Sequence, residues 1–153
     1  MPVVEPHKEL RFTRAAQAVP FWIGAAVTAG IAIVLISISF HRVDNPALPH
    51  PAWSLIPLAL CWICMRLALH CTRHAYLILS PLGVEIFPFF RPVSGMRMIP
   101  WGEIDSVEVG KHIATLHFDP DQNSGIHLEL SPIPKNRRPL LAKALKGRIE
   151  RAD

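Results

Sequence analysis

The sequence predicts an α-helical membrane hairpin followed by a small α+β domain, and the distribution of charge is the main reason. Half of the 153 residues are hydrophobic and only 18% are charged, whereas soluble domains carry about 25% charged residues. The charge-free runs lie between Arg14 and Arg42 and from Asn45 to Met65. Residues 73–153 hold 11 basic and 9 acidic residues, an ordinary soluble balance. This pattern excludes a single uniform globular domain, a disordered chain and a disulfide-rich secreted miniprotein.

Two apolar segments are long enough to cross a bilayer. A hydrocarbon core of about 30 Å requires roughly 20 apolar residues in a helix. We predict such helices at about residues 19–40 and 52–71, within a membrane region of residues 15–72. Residues 41–51 form a short Pro-rich connection, which makes the two helices antiparallel neighbours. The first segment is too long for the apolar core of a signal peptide, and no A-x-A cleavage pattern follows it.

Small residues and cysteines within the two segments are interpreted as packing residues. Cys61 and Cys64 form a CxxC in the second segment, where a zinc or redox site is the alternative. The one charge of that segment, Arg66, is near enough to its end to reach the interface. Small residues at helical spacing predict the face of the first helix that packs on the second: Ala25, Ala26, Ala29 and Gly30.

Basic residues near the segment ends predict the orientation of the hairpin. Five of them flank the outer ends of the two segments, whereas the connection carries one basic and one acidic residue. The five are Lys8, Arg11, Arg14, Arg66 and Arg73. The positive-inside rule therefore predicts that both termini are cytoplasmic, including an N-terminal tail of residues 1–14, and that the connection lies outside.

Residues 73–153 have the pattern of short strands separated by turns. Six segments are interpreted as strands: 74–80, 84–89, 96–101, 103–109, 112–118 and 125–130. Apolar residues alternate in the last two, which indicates an antiparallel pair with one buried face. Residues 136–151 then predict a helix, with Leu141, Leu145 and Ile149 on one stripe. This helix would close one side of the sheet.

Two of these segments resemble the bacterial pleckstrin-homology-like domains. The segments are LSPLGVEI (79–86) and IPWGEIDSVEV (99–109). Gly83 matches the turn glycine of that family, and Trp101 and Ile104 match its "W-x-x-I" strand. Small bacterial membrane proteins of this type pair a two-helix hairpin with such a domain, in the same order as here.

The resemblance implies a cytoplasmic domain at the bacterial inner membrane, with a bent antiparallel sheet or partial barrel of six or seven strands. A C-terminal helix would cap this sheet. Six strands are visible where the family usually has seven, so a further strand is expected near Phe89–Ser94 or Ile133. The family's eukaryotic members often bind phosphoinositides through basic residues at the first turn. The turn of residues 80–83 has no Lys or Arg, so that specificity is not predicted.

Basic residues are concentrated at the C-terminal end. Residues 135–153 contain seven basic and two acidic residues, whereas residues 73–134 contain four and seven. A basic amphipathic helix beside a membrane can attract anionic lipid headgroups, and a solvated face of a structural helix has the same composition. Without interleaved aromatic residues it does not predict nucleic-acid binding. The interaction candidates are Arg91, Arg97, Arg137, Arg138, Lys143, Lys146 and Arg148.

His117 and His127 are the metal-site candidates of the sequence. If the last hairpin is centred on Gln122, the two imidazoles face each other on the exposed side of the sheet. Such a pair can hold part of a metal site or respond to pH, although no third ligand accompanies it. The loop of residues 119–125 lacks the Gly and Glu of an EF-hand, and it is interpreted as a turn.

No catalytic constellation is recognised in the sequence, whether Ser/His/Asp, Walker loop, HExxH or paired carboxylates. We therefore predict a protein without a catalytic site, cofactor or small-molecule substrate. The expected function is that of an adaptor or scaffold that binds a protein partner at the cytoplasmic membrane surface, through a sheet edge or the groove beside the helix. The alternatives are an immunity protein against a membrane-active toxin and an accessory subunit of a larger membrane enzyme or transporter.

Overall fold

The computed structural model describes residues 9–151 and separates them into two compact units. Residues 17–72 form the hairpin unit, and the residues before 17 together with those from 73 onward form the sheet domain. Three helices and two antiparallel sheets give the α+β arrangement that the sequence predicts. Lys8, which belongs to the basic flank of the first apolar segment, lies outside the described residues.

The two hairpin helices lie between β1 and the other strands in the sequence. The chain runs through β1 (Leu10–Thr13), α1 (Ala15–Phe40), α2 (Leu55–Arg73), β2 (Ala75–Leu79), β3 (Gly83–Ile86), β4 (Arg97–Pro100), β5 (Ser106–Val109), β6 (Ile113–His117), β7 (Gly125–Glu129) and α3 (Arg138–Ile149). Short 3₁₀ turns at Pro51–Ser54 and Lys135–Arg137 lead into α2 and α3.

The two long helices are long and apolar enough to cross a membrane. In α1 only 11% of the most apolar window is buried, and in α2 only 17%, which differs from the core helix of a soluble protein. The helix α1 begins four residues before its predicted start, so Pro20 lies inside it. At the start of α2, the His50 ring accepts a hydrogen bond from the Ala52 N–H, which satisfies an otherwise unpaired donor.

A seam of small or half-buried side chains follows each helix at alternating spacings of three and four residues. It comprises Ala18, Phe21, Ala25, Thr28, Ala32 and Leu35 on α1, and Pro57, Cys61, Cys64, Ala68 and Cys71 on α2. The helices touch at Gly24, where an added Cβ would lie 3.3 Å from the Cys64 Sγ. This spacing is typical of helices packed at a shallow angle with interlocking side chains.

The seam differs from the packing face that the small residues predicted. Ala25 is buried and Ala29 half-buried, but Ala26 and Gly30 are exposed. Side chains at alternating three- and four-residue spacing stay on one side of a helix. The predicted set includes adjacent residues, Ala25 with Ala26 and Ala29 with Gly30, which point in different directions.

Sheet A has the strand order β1-β2-β3-β4 and sheet B the order β5-β6-β7, with every neighbouring pair antiparallel. The single bent sheet expected from the resemblance is therefore two sheets. The seventh strand is not near Phe89–Ser94 or Ile133, which lie in turns and irregular chain. It is β1, within the segment assigned to the N-terminal tail, and it pairs Leu10 with Leu79 and Phe12 with Leu77.

One hydrophobic core is shared by sheet A, sheet B and α3. The apolar alternation of β6 and β7 is confirmed, because Ala114 pairs with Leu128 on the buried face. The helix α3 contributes the predicted stripe of Leu141, Leu145 and Ile149. From β1, Phe12 enters the same core with 1% of its surface exposed.

Close backbone approach explains the glycine at the start of β3. Gly83 pairs with Pro100 of β4, and a Cβ at this position would overlap the Ile99 carbonyl. Only glycine leaves the two backbones room to approach this closely.

We expect Phe12→Ala to destabilise the sheet domain by about 3–5 kcal/mol, the range for removal of a buried phenyl ring. The measurement is denaturant unfolding of the full chain in detergent, followed by near-ultraviolet circular dichroism. Arg11→Ala is the matched control, because Arg11 is exposed on the same strand and exposed substitutions cost about 0.5 kcal/mol or less. Equal midpoints for the two variants would contradict the placement of β1 in the core.

Candidate functional site

The seven basic interaction candidates fall into structural and exposed groups. Arg138 and Arg148 are half-buried and bonded to backbone carbonyls of the sheet domain. The exposed candidates form two sets, one around the connection between β3 and β4 and one at α3 and the turn before it. They are Arg91 and Arg97 in the first set, and Arg137, Lys143 and Lys146 in the second.

Arg148 belongs to a cluster that joins three parts of the sheet domain. Its guanidinium donates to the Ser80 carbonyl at 2.6 Å, and the Trp101 indole N–H donates to the same oxygen at 2.9 Å. The guanidinium also lies 5.7 Å from the centre of the Trp101 ring. Burial, with repulsion from Arg151, lowers the pKa of Arg148. Trp101 and Ile104 are buried, as the sequence predicted.

Arg138 fixes the beginning of α3. Its Nε donates to the Ile133 carbonyl at 3.1 Å, and a terminal nitrogen donates to the Lys111 carbonyl at 3.2 Å. These bonds connect α3 with the chain after β7 and with the turn between β5 and β6. Arg138 and Arg148 therefore act in folding, and the charge available to a partner is smaller than the sequence count implies.

A small cavity of about 220 Å³ lies beside β1. Arg11 and Arg137 line it together with Phe12, Thr13 and Ile133. Neither guanidinium pairs with a carboxylate of residues 9–151. A cavity of this size with two cationic walls suits a small anion such as a phosphate group.

Arg14 organises a second cluster, which the sequence analysis did not predict. Its guanidinium donates to the Phe87 carbonyl at 3.1 Å and lies 4.4 Å from the centre of the Tyr76 ring and 5.5 Å from that of Phe89. Phe90 contacts Phe89 edge-to-face, with 4.9 Å between ring centres. This Arg14 cluster joins the residue before α1 to the connection between β3 and β4, called here the aromatic loop (residues 87–96).

Tyr76 is buried beneath Arg14, and its pKa reflects that environment. Burial raises the pKa of the phenol above its ordinary value of 10.0, and the Arg14 guanidinium opposes this rise. The Glu129 carboxylate raises the pKa further, while a hydrogen bond from the Glu129 backbone lowers it. Because folding favours the protonated phenol, Tyr76 destabilises the fold only as the pH rises above 10.0.

The two candidate histidines do not face each other. His127 lies opposite Thr115 and bonds it at 3.0 Å, while His117 lies opposite Gly125. The predicted pair is wrong because the register of the hairpin is centred on Asp121 rather than Gln122. This register requires glycine at position 125, since a Cβ there would lie 2.5 Å from the Leu116 carbonyl oxygen.

His117 instead lies opposite Ser106 of β5. Both ring nitrogens of His117 and the Ser106 hydroxyl are buried and have no hydrogen-bond partner within residues 9–151. The Glu108 carboxylate lies 3.8 Å from the His117 Nε2. No group of three or more His, Cys, Asp or Glu side chains in the described part of the chain could hold a metal ion.

The strand β4 offers an unpaired edge. Within the described sheets its neighbour is β3, and its outer side has no strand. Arg97, Met98 and Pro100 of this strand are exposed. An extended peptide can add to such an edge through main-chain hydrogen bonds.

Comparison of the chain with protein-family models, with curated proteins and with solved structures found no match.

We expect the single tyrosine of the sequence to titrate above pH 10.0 in the folded chain, because Tyr76 is buried. Tyrosinate absorbance measures this midpoint directly, and in denaturant it should fall to about 10. Arg14→Met should raise the folded midpoint further, because it removes the positive charge that favours the phenolate. A folded midpoint at or below 10.0, or one that Arg14→Met leaves unchanged, would contradict the Arg14 cluster.

Proposed function

We propose that the protein is an adaptor anchored in the bacterial inner membrane by the α1–α2 hairpin, and that its pleckstrin-homology-like domain binds a protein partner at the cytoplasmic surface. The pairing of β1 with β2 carries this proposal. These strands precede α1 and follow α2 directly, yet they belong to one sheet. A hairpin whose two ends enter the same folded sheet crosses the bilayer an even number of times.

The position of β1 also opposes cleavage of α1 as a signal peptide. Signal peptidase would remove β1 together with α1 and leave a gap in the core at Phe12, which is 1% exposed. Basic residues flank the ends of the hairpin that adjoin the sheet, at Arg11, Arg14 and Arg73, which favours the cytoplasm for the sheet domain. Together these features support a two-pass anchor with cytoplasmic termini.

A pleckstrin-homology-like identity is supported by the architecture and by the packing of the residues that carried the resemblance. Seven strands in sheets of four and three share one core with a C-terminal helix. The hairpin then occupies the connection between the first and second strands. Gly83, Trp101 and Ile104, which carried the resemblance, all have packing roles in this arrangement.

Binding of a protein partner is supported by the free edge of β4 and its exposed Arg97 and Met98. Arg91, also exposed, precedes this strand. The neighbouring segment carries no carboxylate between Glu85 and Glu103, so the edge suits an extended, acidic peptide segment. Anionic headgroups are a second proposed partner, favoured by the cavity between Arg11 and Arg137.

The topology is tested by labelling engineered cysteines with a membrane-impermeant maleimide in intact cells. We expect Asn45→Cys, in the exposed connection, to be labelled once the outer membrane is opened. Arg11→Cys and Leu82→Cys should be labelled only after the inner membrane is permeabilised, because both residues belong to the sheet domain. The unsubstituted chain controls for its three cysteines. Labelling of Arg11→Cys and Leu82→Cys from opposite sides would contradict the shared sheet, and labelling of both from outside would reverse the orientation.

Partner binding is tested by affinity purification of the full chain from cross-linked native membranes, with quantitative mass spectrometry. We expect the double variant Arg91→Glu/Arg97→Glu to reduce captured partner about tenfold, the effect of losing 1.4 kcal/mol of binding free energy. The control is Arg137→Glu/Lys143→Glu, which makes the same charge change on another exposed surface and should retain the partner.

Loss of the partner in the control alone would move the binding surface to α3, and retention in both variants would contradict the β4 edge. A partner recovered in fixed stoichiometry after mild detergent extraction would favour an accessory subunit over an adaptor.

A further inference from the structure

The aromatic loop carries exposed apolar side chains that neither the core nor the proposed partner surface uses. We propose that this loop inserts into the lipid–water interface and forms a third contact with the bilayer, besides α1 and α2. This inference rests on the proposed membrane anchor, and it adds a lipid-binding surface to the sheet domain. It is supported by the exposed side chains of the loop, by the residues around them, by the bonds that attach the loop to Arg14, and by the level of Arg14 in the bilayer.

The loop presents large apolar groups to its surroundings. Phe90 is 87% exposed and Val93 is 89% exposed, and Met96 at the end of the loop is 44% exposed. Among the described large hydrophobic residues of the sheet domain outside the loop, Leu82 is 71% exposed and Ile113 50%, and neither reaches the exposure of Phe90 or Val93. Concentrated apolar exposure of this kind marks a surface that contacts another phase or molecule.

The composition around the loop favours a lipid surface. No Asp or Glu occurs between Glu85 and Glu103, whereas Arg91 and Arg97 lie among the apolar residues. Segments that bind at the membrane interface combine aromatic residues, which enter the headgroup region, with cations that attract anionic lipids. Both cations are exposed and can remain in the headgroup layer while the phenyl ring and the valine side chain enter more deeply.

The loop is attached to the chain at the point where the hairpin begins. Arg14 precedes α1 directly, and its guanidinium bonds the Phe87 carbonyl and stacks on Phe89. The Phe87 N–H donates to the Tyr76 carbonyl at 2.9 Å, and Tyr76 follows α2 by three residues. Both ends of the hairpin therefore continue into residues that hold the loop.

The length of α1 places Arg14 in the headgroup layer. Its 26 residues rise about 39 Å at 1.5 Å per residue. The hydrocarbon core is about 30 Å thick, and the whole bilayer with headgroups about 40–45 Å. A centred α1 thus extends roughly 5 Å beyond the hydrocarbon at each end. Arg14, the residue before α1, lies at that level, and its guanidinium bonds the Phe87 carbonyl of the aromatic loop.

The test replaces Phe90 with p-benzoylphenylalanine in the full chain and cross-links it by light in native membranes. Val93→p-benzoylphenylalanine is a second reporter in the loop. Leu82→p-benzoylphenylalanine is the matched control, because Leu82 is also exposed but lies in the turn after β2, at the opposite end of sheet A. We expect a phospholipid mass adduct at positions 90 and 93 and no such adduct at position 82. All three sites are exposed, so folding should be preserved.

The outcomes separate this inference from the proposed anchor. A protein adduct at position 90 would overturn lipid insertion and identify the loop as a protein interface. If the chain stays in the membrane after a carbonate wash but forms no lipid adduct at position 90 or 93, the inference is overturned and the anchor remains intact. Equal lipid adducts at 90 and 82 would overturn it as well. Recovery of the chain in the soluble fraction would overturn the anchor itself.

Discussion

The pairing of β1 with β2 is the constraint on which the rest of the structure depends. The two strands are separated in sequence by the whole hairpin, yet they are hydrogen-bonded neighbours in sheet A. For a flexible connection of this length, the length-dependent part of the loop-closure free energy is about 3.6 kcal/mol. Two antiparallel helices joined by a short connection reduce that cost, because they return the chain close to its starting point before β2 is reached. Formation of the hairpin therefore favours completion of the sheet, and Phe12 in turn ties the N-terminal strand to the core.

Arg14 contributes both to the fold and to the charge pattern from which the topology is proposed. As a cation before an apolar helix it contributes to the positive-inside pattern. In the sheet domain the same guanidinium bonds the Phe87 carbonyl and covers Tyr76. A planar guanidinium can make a hydrogen bond and stack on aromatic rings at once, whereas a lysine ammonium cannot do both in the same geometry. Charge counting identifies the first role of Arg14, and only the contacts reveal the second.

Much of the fold was predictable from local patterns, and the failures are non-local. The two apolar helices and the six strands after them follow from hydropathy and alternation over short windows. The strand β1 has only four residues, in which Leu10 and Phe12 alternate with Arg11 and Thr13. Two alternations are too few to distinguish a strand from a tail, and the partner strand lies beyond the hairpin. In the last hairpin the facing of His117 and His127 required a register centred on Gln122, whereas the register is centred on Asp121. This register brings Gly125 close to the Leu116 carbonyl across the sheet, a contact that no local pattern reveals. The candidate site shows the same limit, because the sequence counts Arg138 and Arg148 as charges while their backbone partners are distant in sequence.

The two ends of sheet A have different physical tasks, and this separation bears on function. At one end the Trp101 indole and the Arg148 guanidinium both donate hydrogen bonds to the Ser80 carbonyl, so that end is closed by contacts within the domain. At the other end the Arg14 cluster holds a loop whose Phe90 and Val93 side chains remain exposed. The edge of β4 runs from the loop end toward Trp101. A peptide added to this edge would therefore extend from the loop end of sheet A toward the closed end. In the proposed adaptor, the bilayer would contact Phe90 and Val93 of the loop and the protein partner would contact the β4 edge, while Arg91 and Arg97 would be shared by the two surfaces.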